Sequence, residues 1–227
     1  TNTLILTVLL QRWLGVNLIS PHGGYRNLKS FQMAEIVYDL TFDFCARYIA
    51  DFKLKAQIEG AARGGKQNIA EGSSTSGSSK QSELRLVQVA RASQEELLND
   101  FFDFLRTKGL ERWGKDDART QEIRNLAYQP DRSDRTYKTY MTHPEIAANC
   151  LLCLIHQTNY LLDQQMKALE KDLIQKGDYK ERYVHARKEK MFGDPERERK
   201  ADLDFLTELG MRKLKNGQVV KIDDPRE

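Results

Sequence analysis

Residues 79–109 read SKQSELRLVQVARASQEELLNDFFDFLRTKG, and this stretch decides the fold class. Its apolar residues recur at three- and four-residue steps, which is the spacing of one face of an α-helix. Ser79 or Ser82 can serve as the N-cap, and Gly109 is a natural stop. A helix of about 30 residues is about 45 Å long. The stretch therefore predicts a long helix whose wide apolar face needs partners.

The same helical periodicity recurs in three other stretches, namely residues 28–48, 54–72 and 144–176. Gly72 is expected to end the second stretch, because glycine is common just past a helix. Pro144 suits the first turn of the last stretch, and Gly177 closes it. Amphipathic helices of this size bury a core together by packing knobs into holes. The sequence therefore predicts an all-α bundle.

Breaks separate the predicted helices. Residues 51–55 are expected to form a short turn or a bend. Residues 73–79, SSTSGSS, are small and polar and are expected to form a flexible loop. Residues 110–142 lack periodicity and are rich in Asp, Arg and Tyr. We expect them to form a long connection with one short helix near residues 118–127.

The ends of the chain differ from the bundle, so three segments are predicted: an apolar extension over 1–20, the bundle over 21–177 and a charged suffix over 178–227. In the suffix, Pro195 and Gly210 mark the start and end of a short helix, and Asn216-Gly217 favours a small hairpin. The apolar run over residues 4–19 is interrupted by polar residues and is shorter than the roughly 20 residues of a membrane span. We expect it to cover a groove or a neighbouring subunit.

The composition narrows the class of protein. The chain has 227 residues, with 36 Lys+Arg against 33 Asp+Glu, a formal net charge of +3, and 40% hydrophobic residues. This balance argues against a membrane bundle. Because the charges nearly cancel, the net charge does not by itself indicate nucleic-acid binding, as it would for a strongly basic protein. Three cysteines do not make a disulfide framework, and no secretory signal is recognised, so a cytoplasmic location is expected.

Two motifs suggest chemistry, and both have structural interpretations. Residues 60–66, GAARGGK, have the spacing of a phosphate-binding loop, but Gln67 replaces the magnesium-binding hydroxyl and no strand precedes the motif. Small helical residues that allow close approach of a neighbour are favoured instead. Cys150, Cys153 and His156 suggest a metal site, yet the first and last diverge by about 240° on a helix. Core cysteines are therefore favoured, and neither a metal nor a cofactor is expected.

Asn68 and Glu71 face the same way on a helix, because they are three residues apart. They can bond a neighbouring helix end or a subunit, or they can act as acid/base catalysts. No partner acid, metal or nucleophile accompanies Glu71 in the sequence. The structural role is therefore favoured, and no catalytic residue is assigned.

Basic residues on the second and third predicted helices are the candidate contacts to nucleic acid. Glutamates lie among them, so an ordinary solvated face is one interpretation. The other is a basic strip that forms only when subunits stack in a ring and that contacts phosphates without reading bases. The candidates are Lys53, Lys55, Arg63, Lys66, Arg85 and Arg91.

The second predicted helix closely resembles the signature of the four-helix-bundle family encoded in intervening sequences of bacterial 23S ribosomal RNA. The resemblance lies in the run Gln57-Ile58-x-x-Ala61-Ala62-Arg63-x-x-x-Gln67-Asn68-Ile69-Ala70-Glu71-Gly72. Supporting stretches are Tyr25-Arg26-Asn27-Leu28 and Val89-Ala90-Arg91-Ala92-Ser93-x-x-Glu96-Leu97. The resemblance covers about residues 21–176, and Leu154-Ile155-His156-Gln157 is similar to the longer branch that carries a charged suffix.

The resemblance implies an antiparallel up-down four-helix bundle, commonly a ring-shaped homopentamer, with no known catalytic activity. Asn68, Glu71 and Gly72 would belong to the structural motif of that family. The accessory proteins of diversity-generating retroelements are similar in fold, form a basic pentameric barrel, and bind a reverse transcriptase and nucleic acid. The implied partners are therefore further copies of the chain, RNA or DNA, and a reverse transcriptase.

Three functions remain open from the sequence. The favoured one is a non-enzymatic, homo-oligomeric scaffold that binds RNA or a nucleic-acid enzyme. The alternative is a protein–protein interaction module, in which the suffix docks a partner and the bundle only multimerises it. The third is an enzyme that uses His156 with Cys153 or Glu71, which clustering of these side chains in an open pocket would favour.

Overall fold

A computed structural model describes residue 19 and residues 21–129, 133–192, 195–214 and 218–222. Helices dominate this part of the chain, so the all-α prediction is confirmed. Among these residues, none of the helices has the length and apolar character that a membrane span requires. The apolar run predicted over residues 4–19 lies outside the described residues, apart from Ile19. The chain divides into two units, one that spans residues 19–179 and one that begins at Lys180.

The first unit is built on long helices, after a 3-10 turn at Tyr25–Asn27. The long helices are α1 (Lys29–Tyr48), α2 (Phe52–Thr75), α3 (Lys80–Lys108) and α6 (Pro144–Lys176). Between α3 and α6 lie α4 (Ala118–Leu126), α5 (Asp134–Tyr137) and a 3-10 turn over Lys138–Thr142. The short helix predicted near residues 118–127 is thereby confirmed, whereas residues 134–142 are more helical than expected.

The ends of α3 and α6 follow the sequence signals. The Ser79 hydroxyl accepts a hydrogen bond from the backbone N–H of Ser82 at 3.1 Å, which caps α3. Gly109 ends α3 with a φ of 63°, a left-handed conformation that glycine adopts without strain. Pro144 lies in the first turn of α6, and Gly177 follows its last residue. These predicted boundaries are confirmed.

The predicted end of α2 at Gly72 is wrong. Gly72 is buried in the packing surface, where an added Cβ would lie 3.3 Å from the Glu83 carbonyl oxygen. Glycine is needed here for close helix approach rather than for a stop. The helix continues to Thr75, whose hydroxyl donates to the Gly72 carbonyl, and Ser76 donates to the Ser73 carbonyl. Hydroxyl groups thus satisfy carbonyls of the last turn, so the predicted flexible loop is shorter than expected.

The turn predicted over residues 51–55 is also shorter in the structure. Asp51 is the N-cap of α2, and its carboxylate accepts the backbone N–H of Leu54 at 2.7 Å. The residues that follow Asp51 are therefore already helical. The sequence carried this signal, because Asp is a preferred N-cap residue.

The long helices pack in a cycle of neighbouring pairs, α1 with α2, α2 with α3, α3 with α6, and α6 with α1. Ser30 at the start of α1 donates to Gln165 in the second half of α6 at 2.6 Å. Gly64 of α2 lies against Ser93 of α3, whereas Gly72 lies against Glu83. The core of the unit lies inside this cycle of helices.

Two buried apolar clusters make up this core. The larger one contains Phe44, which packs edge-on against Phe101 and Phe104 with ring centroids 5.0 and 4.9 Å apart. The smaller one contains Phe31 and Leu162. Aromatic and aliphatic burial of this kind is the main favourable term in folding.

A buried polar layer lies along the helices between the two clusters. Gln94 lies between Ala90 of the smaller cluster and Leu97 of the larger one. Asn159 has the equivalent position on α6, between Ile155 and Leu162. Gln94 is fully buried and Asn159 is nearly so.

The second unit contains α7 (Tyr179–Phe192) except its first residue, α8 (Pro195–Glu208), β1 (Met211–Lys213) and β2 (Val219–Lys221). The strands pair antiparallel with Arg212 opposite Val220. The predicted helix from Pro195 and the predicted hairpin are confirmed, and the Asn216-Gly217 turn lies outside the described residues. The sequence did not single out α7, whose apolar residues are sparse.

Candidate nucleic-acid interface

The six candidate cations lie on α2 and α3, but they do not share one face. Lys66 of α2 places its Nζ 3.9 Å from the centroid of the Tyr38 ring of α1. Arg91 of α3 instead donates to Asp163 of α6 at 3.2 Å. Lys66 and Arg91 therefore point toward opposite neighbours, and one chain distributes the cations around two helices.

Three of the six cations already have partners. Lys55 lies 3.7 Å from the Glu59 carboxylate, and Arg91 donates to Glu95 at 2.6 Å as well as to Asp163. Lys66 is held by the cation–π contact with Tyr38. A phosphate would have to compete with these contacts, so Lys55, Lys66 and Arg91 are poorly suited to make the first contact with nucleic acid.

The other three cations, Lys53, Arg63 and Arg85, are exposed. Among the described residues, none of the three forms an ion pair, a hydrogen bond or a ring contact. Their charges are therefore free to attract phosphates from solution.

The residues of the predicted family motif do not bond another helix within one chain. The Asn68 side chain donates to the Gly64 carbonyl of its own helix at 2.8 Å. Glu71 is exposed and has no hydrogen-bond partner among the described residues. Gly72 is buried against Glu83 and Leu86. Gly72 thus allows the close approach of α3, and the predicted subunit contact of Asn68 and Glu71 stays a prediction.

The GAARGGK motif lies in the middle of α2, so its amides are committed to helix hydrogen bonds. Gly64 and Gly65 face Ser93 and Gln94 of α3, where a Cβ would be too close to the facing side chains. The interpretation of these residues as a close-packing surface is confirmed.

The cysteines lie in apolar surroundings. Cys45 and Cys150 are fully buried, and burial raises the pKa of the Cys45 thiol to about 12. Burial also raises the pKa of Cys150. A thiol that stays protonated is a weak nucleophile and a weak metal ligand. No group of three or more potential ligands that could hold a metal ion is found among the described residues.

Cys153 and His156 differ from the core cysteines because both line an open cavity of about 420 Å³. Burial raises the pKa of Cys153, so the thiol is not activated. The structure therefore brings His156 and Cys153 to one open cavity, as one form of the enzyme hypothesis requires, whereas Glu71 of the other form does not line it.

A group of basic residues around this cavity was missed by the sequence interpretation. Arg112, Lys115 and Arg124 lie on the connection that was expected to be a linker and on α4. The available signal was the run Arg112-Trp113-Gly114-Lys115, in which basic residues flank an aromatic one.

Comparison with known proteins yields no match to a family model, to a curated protein or to a solved structure. The resemblance of residues 57–72 to a family therefore stays a prediction. What the protein does has to be inferred from its own surfaces.

Proposed function

We propose that this chain is a non-enzymatic, homo-oligomeric helical scaffold that binds RNA or another nucleic acid through the outer surface of α2 and α3. The observation that carries the proposal is the set of exposed cations without carboxylate partners, Lys53, Arg63 and Arg85. Such cations release counterions when they meet a phosphate backbone, which favours binding in low salt. They read no bases, so the binding is expected to be sequence-independent.

The proposal includes an antiparallel up-down four-helix bundle as the body of the scaffold. Its support is the pairing of residues between helices. Along α2 and α3, Gly64 meets Ser93 and Gly72 meets Glu83, so one number rises as the other falls. Ser30 pairs with Gln165 in the same opposed sense between the first and last helices. The resemblance to the 23S intervening-sequence family remains part of this proposal.

Assembly into an oligomer, with five chains as the family resemblance implies, is supported by exposed apolar side chains. Phe52 at the start of α2 is 81% exposed, and Ile174 near the end of α6 is 87% exposed. A neighbouring copy would remove such surface from water, at a gain of about 25 cal/mol per Å². Glu71 and Asn68 would lie in a subunit contact.

The test is a filter-binding titration of the intact protein with a structured RNA at several salt concentrations. Lys53→Gln, Arg63→Gln and Arg85→Gln together should lower the slope of log affinity against log salt by about 2, because each phosphate contact contributes roughly 0.7–0.9. Arg106→Gln is the matched control, since Arg106 is exposed and ion-paired with Asp103 at the far end of α3. Absence of binding in low salt, or binding that salt does not change, would contradict the proposal.

A second candidate function, protein–protein interaction through the suffix, is favoured by exposed apolar side chains of α8. Leu203 and Phe205 are 49% and 60% exposed. If the suffix docks a protein partner, Leu203→Ser with Phe205→Ser should abolish partner capture while the mass of the oligomer is unchanged. Retained capture would remove this alternative.

A further inference from the structure

The cavity beside α4 and α6 has a buried apolar floor. It has a volume of about 420 Å³ and is lined on the inside by Trp113, Leu152 and Phe102, together with Asn149 and Thr120. Trp113, Leu152 and Asn149 are each 9% exposed or less. This volume lies within the range of about 300–1,000 Å³ that is common for small-molecule sites.

One buried side chain shapes the cavity. Asn149 accepts the backbone N–H of Trp113 at 2.8 Å and donates to the Glu111 carbonyl at 2.8 Å. These two hydrogen bonds attach the non-helical segment before α4 to α6. The cavity is therefore held open by defined hydrogen bonds rather than by loose packing.

The rim of the cavity is cationic. Arg112, Lys115 and Arg124 are exposed, and none forms an ion pair among the described residues. The Arg112 guanidinium lies 5.2 Å from the centroid of the Phe102 ring, and Arg124 donates to the Lys115 carbonyl at 3.4 Å, so both have contacts that leave their charge without a carboxylate partner. No carboxylate of the described chain lines the cavity. Lys115 and Arg124 also line an adjoining cavity of about 1020 Å³, so both are accessible from solution.

The nearby acids lie outside the cavity, and two of them pair with another arginine. Arg119 donates to Asp117 at 2.7 Å and to Glu111 at 3.2 Å. Its guanidinium lies 4.2 Å from the centroid of the Trp113 ring. Asp116 lines the adjoining cavity beside Lys115 and Arg124, so the positive charge is concentrated at the first cavity, which no carboxylate of the described chain lines.

Trp113 also carries a buried hydrogen-bond donor. The indole Nε1 is buried, and it has no partner among the described residues. Because Trp113 lines the cavity, its indole N–H signal reports on occupancy of the site.

We propose that this cavity binds a small organic phosphate, a monoester whose phosphate is held by Arg112, Lys115 and Arg124 and whose apolar body packs on Trp113 and Leu152. A phosphate dianion matches several cations better than a carboxylate does, and arginine binds phosphate with paired hydrogen bonds. This site goes beyond the proposed scaffold function, because it lies on the connection and not on the outer surface of α2 and α3.

The site binds rather than reacts. The Cys153 thiol stays protonated, because burial raises its pKa. Burial lowers the pKa of His156; Glu95 opposes this shift, and Arg124 and Arg91 add to it. A dianion bound beside Arg124 would offset these positive charges, so occupancy should raise the pKa of His156.

The experiment is an NMR titration of the full-length protein with phenyl phosphate. The indole N–H signal of Trp113, assigned with Trp113→Phe, should shift saturably, and the pKa of His156 should rise. Inorganic phosphate, which lacks the apolar body, and benzyl alcohol, which lacks the charge, should each bind about tenfold more weakly or worse. Benzoate should also bind more weakly than phenyl phosphate.

Substitutions of the rim cations test their contribution to phosphate binding. Arg124→Gln and Lys115→Gln should each weaken phenyl phosphate binding about tenfold, and both side chains are exposed. Arg85→Gln, the charge-matched control, should leave phenyl phosphate binding unchanged while it lowers the salt slope of RNA binding. The phosphate-site proposal and the RNA-binding proposal can therefore be refuted independently of each other.

The absence of a saturable shift of the Trp113 signal would overturn the proposal. Equal affinity of the rim variants and the natural protein would overturn it as well. If inorganic phosphate bound as tightly as phenyl phosphate, the apolar floor would play no part. If benzoate bound as tightly, the assignment of a phosphate would be wrong.

Discussion

Asn149 is a buried residue that fixes a non-helical segment with both ends of its amide. It donates to Glu111 and to Glu145 of its own helix, and it accepts from Trp113. Asn149→Ala would leave the Trp113 N–H and the Glu111 carbonyl without this partner. We expect the free energy of unfolding, measured by urea titration, to fall by about 1–3 kcal/mol.

Asn99→Ala is the control for this prediction, because Asn99 is exposed on α3. Its effect should stay within about 0.5 kcal/mol. A loss at Asn149 no larger than the loss at Asn99 would mean that the segment is not held by the amide.

Gln94 is the opposite case, because its buried amide makes no hydrogen bond among the described residues. Both its Oε1 and its Nε2 lack partners among the described residues, and the side chain lies against Gly65. Methionine has a similar shape without the polar atoms. Gln94→Met should therefore raise the free energy of unfolding by about 1 kcal/mol, as measured by urea titration.

Gln88→Met at an exposed site of α3 provides the comparison, with an expected change near zero. If Gln94→Met instead destabilised the protein, the buried amide would have a partner such as a water molecule. The polar layer would then contribute to stability.

At the scale of the element, the start of α3 is held by a residue far along the chain. Asp178 accepts from the Ser79 hydroxyl at 2.9 Å and from the Lys80 backbone N–H at 2.8 Å. Burial raises the pKa of Asp178, but hydrogen bonds from Tyr179, Lys80 and Ser79 outweigh it, and the net pKa lies below the ordinary value. A carboxylate at a helix N-terminus also favours the helix dipole.

Asp178→Asn should lower the free energy of unfolding at pH 7 by about 1 kcal/mol. Because the carboxyl pKa is lower in the folded state, this stabilisation is present above the ordinary carboxyl pKa of about 4 and is lost as pH falls below it through the folded-state pKa. The gap between the natural protein and the variant, measured by urea titration at several pH values, should therefore close in acid. A gap independent of pH would contradict this role of the charge.

Helix boundaries could be predicted where the residue at the boundary is favoured for a purely local reason. Ser79, Gly109 and Pro144 are such cases, because a cap or a first turn depends only on neighbouring backbone. Gly72 could not be assigned from the chain alone. Its reason is the approach of Glu83 on another helix, and local sequence does not encode that distance.

At the scale of the whole molecule, the cations can be counted from the sequence, but the side chains that hold them cannot be predicted from it. Lys66 and Arg63 look equivalent in the sequence, yet a ring of α1 holds only Lys66. The cavity was even less accessible to prediction, because its lining runs from Phe102 to His156 across the connection and three helices. Only packing in three dimensions brings these residues together.

An assembled particle that carries nucleic acid can be tested directly by sedimentation velocity with a fluorescent structured RNA, which reports on assembly and on binding in one measurement. In low salt, the RNA should sediment together with a particle of about 130 kDa, the mass of five chains of 26.3 kDa each. Raising the salt should release the RNA and leave the particle intact. A chain that sediments as a monomer, or RNA that sediments apart from the particle in low salt, would contradict the account.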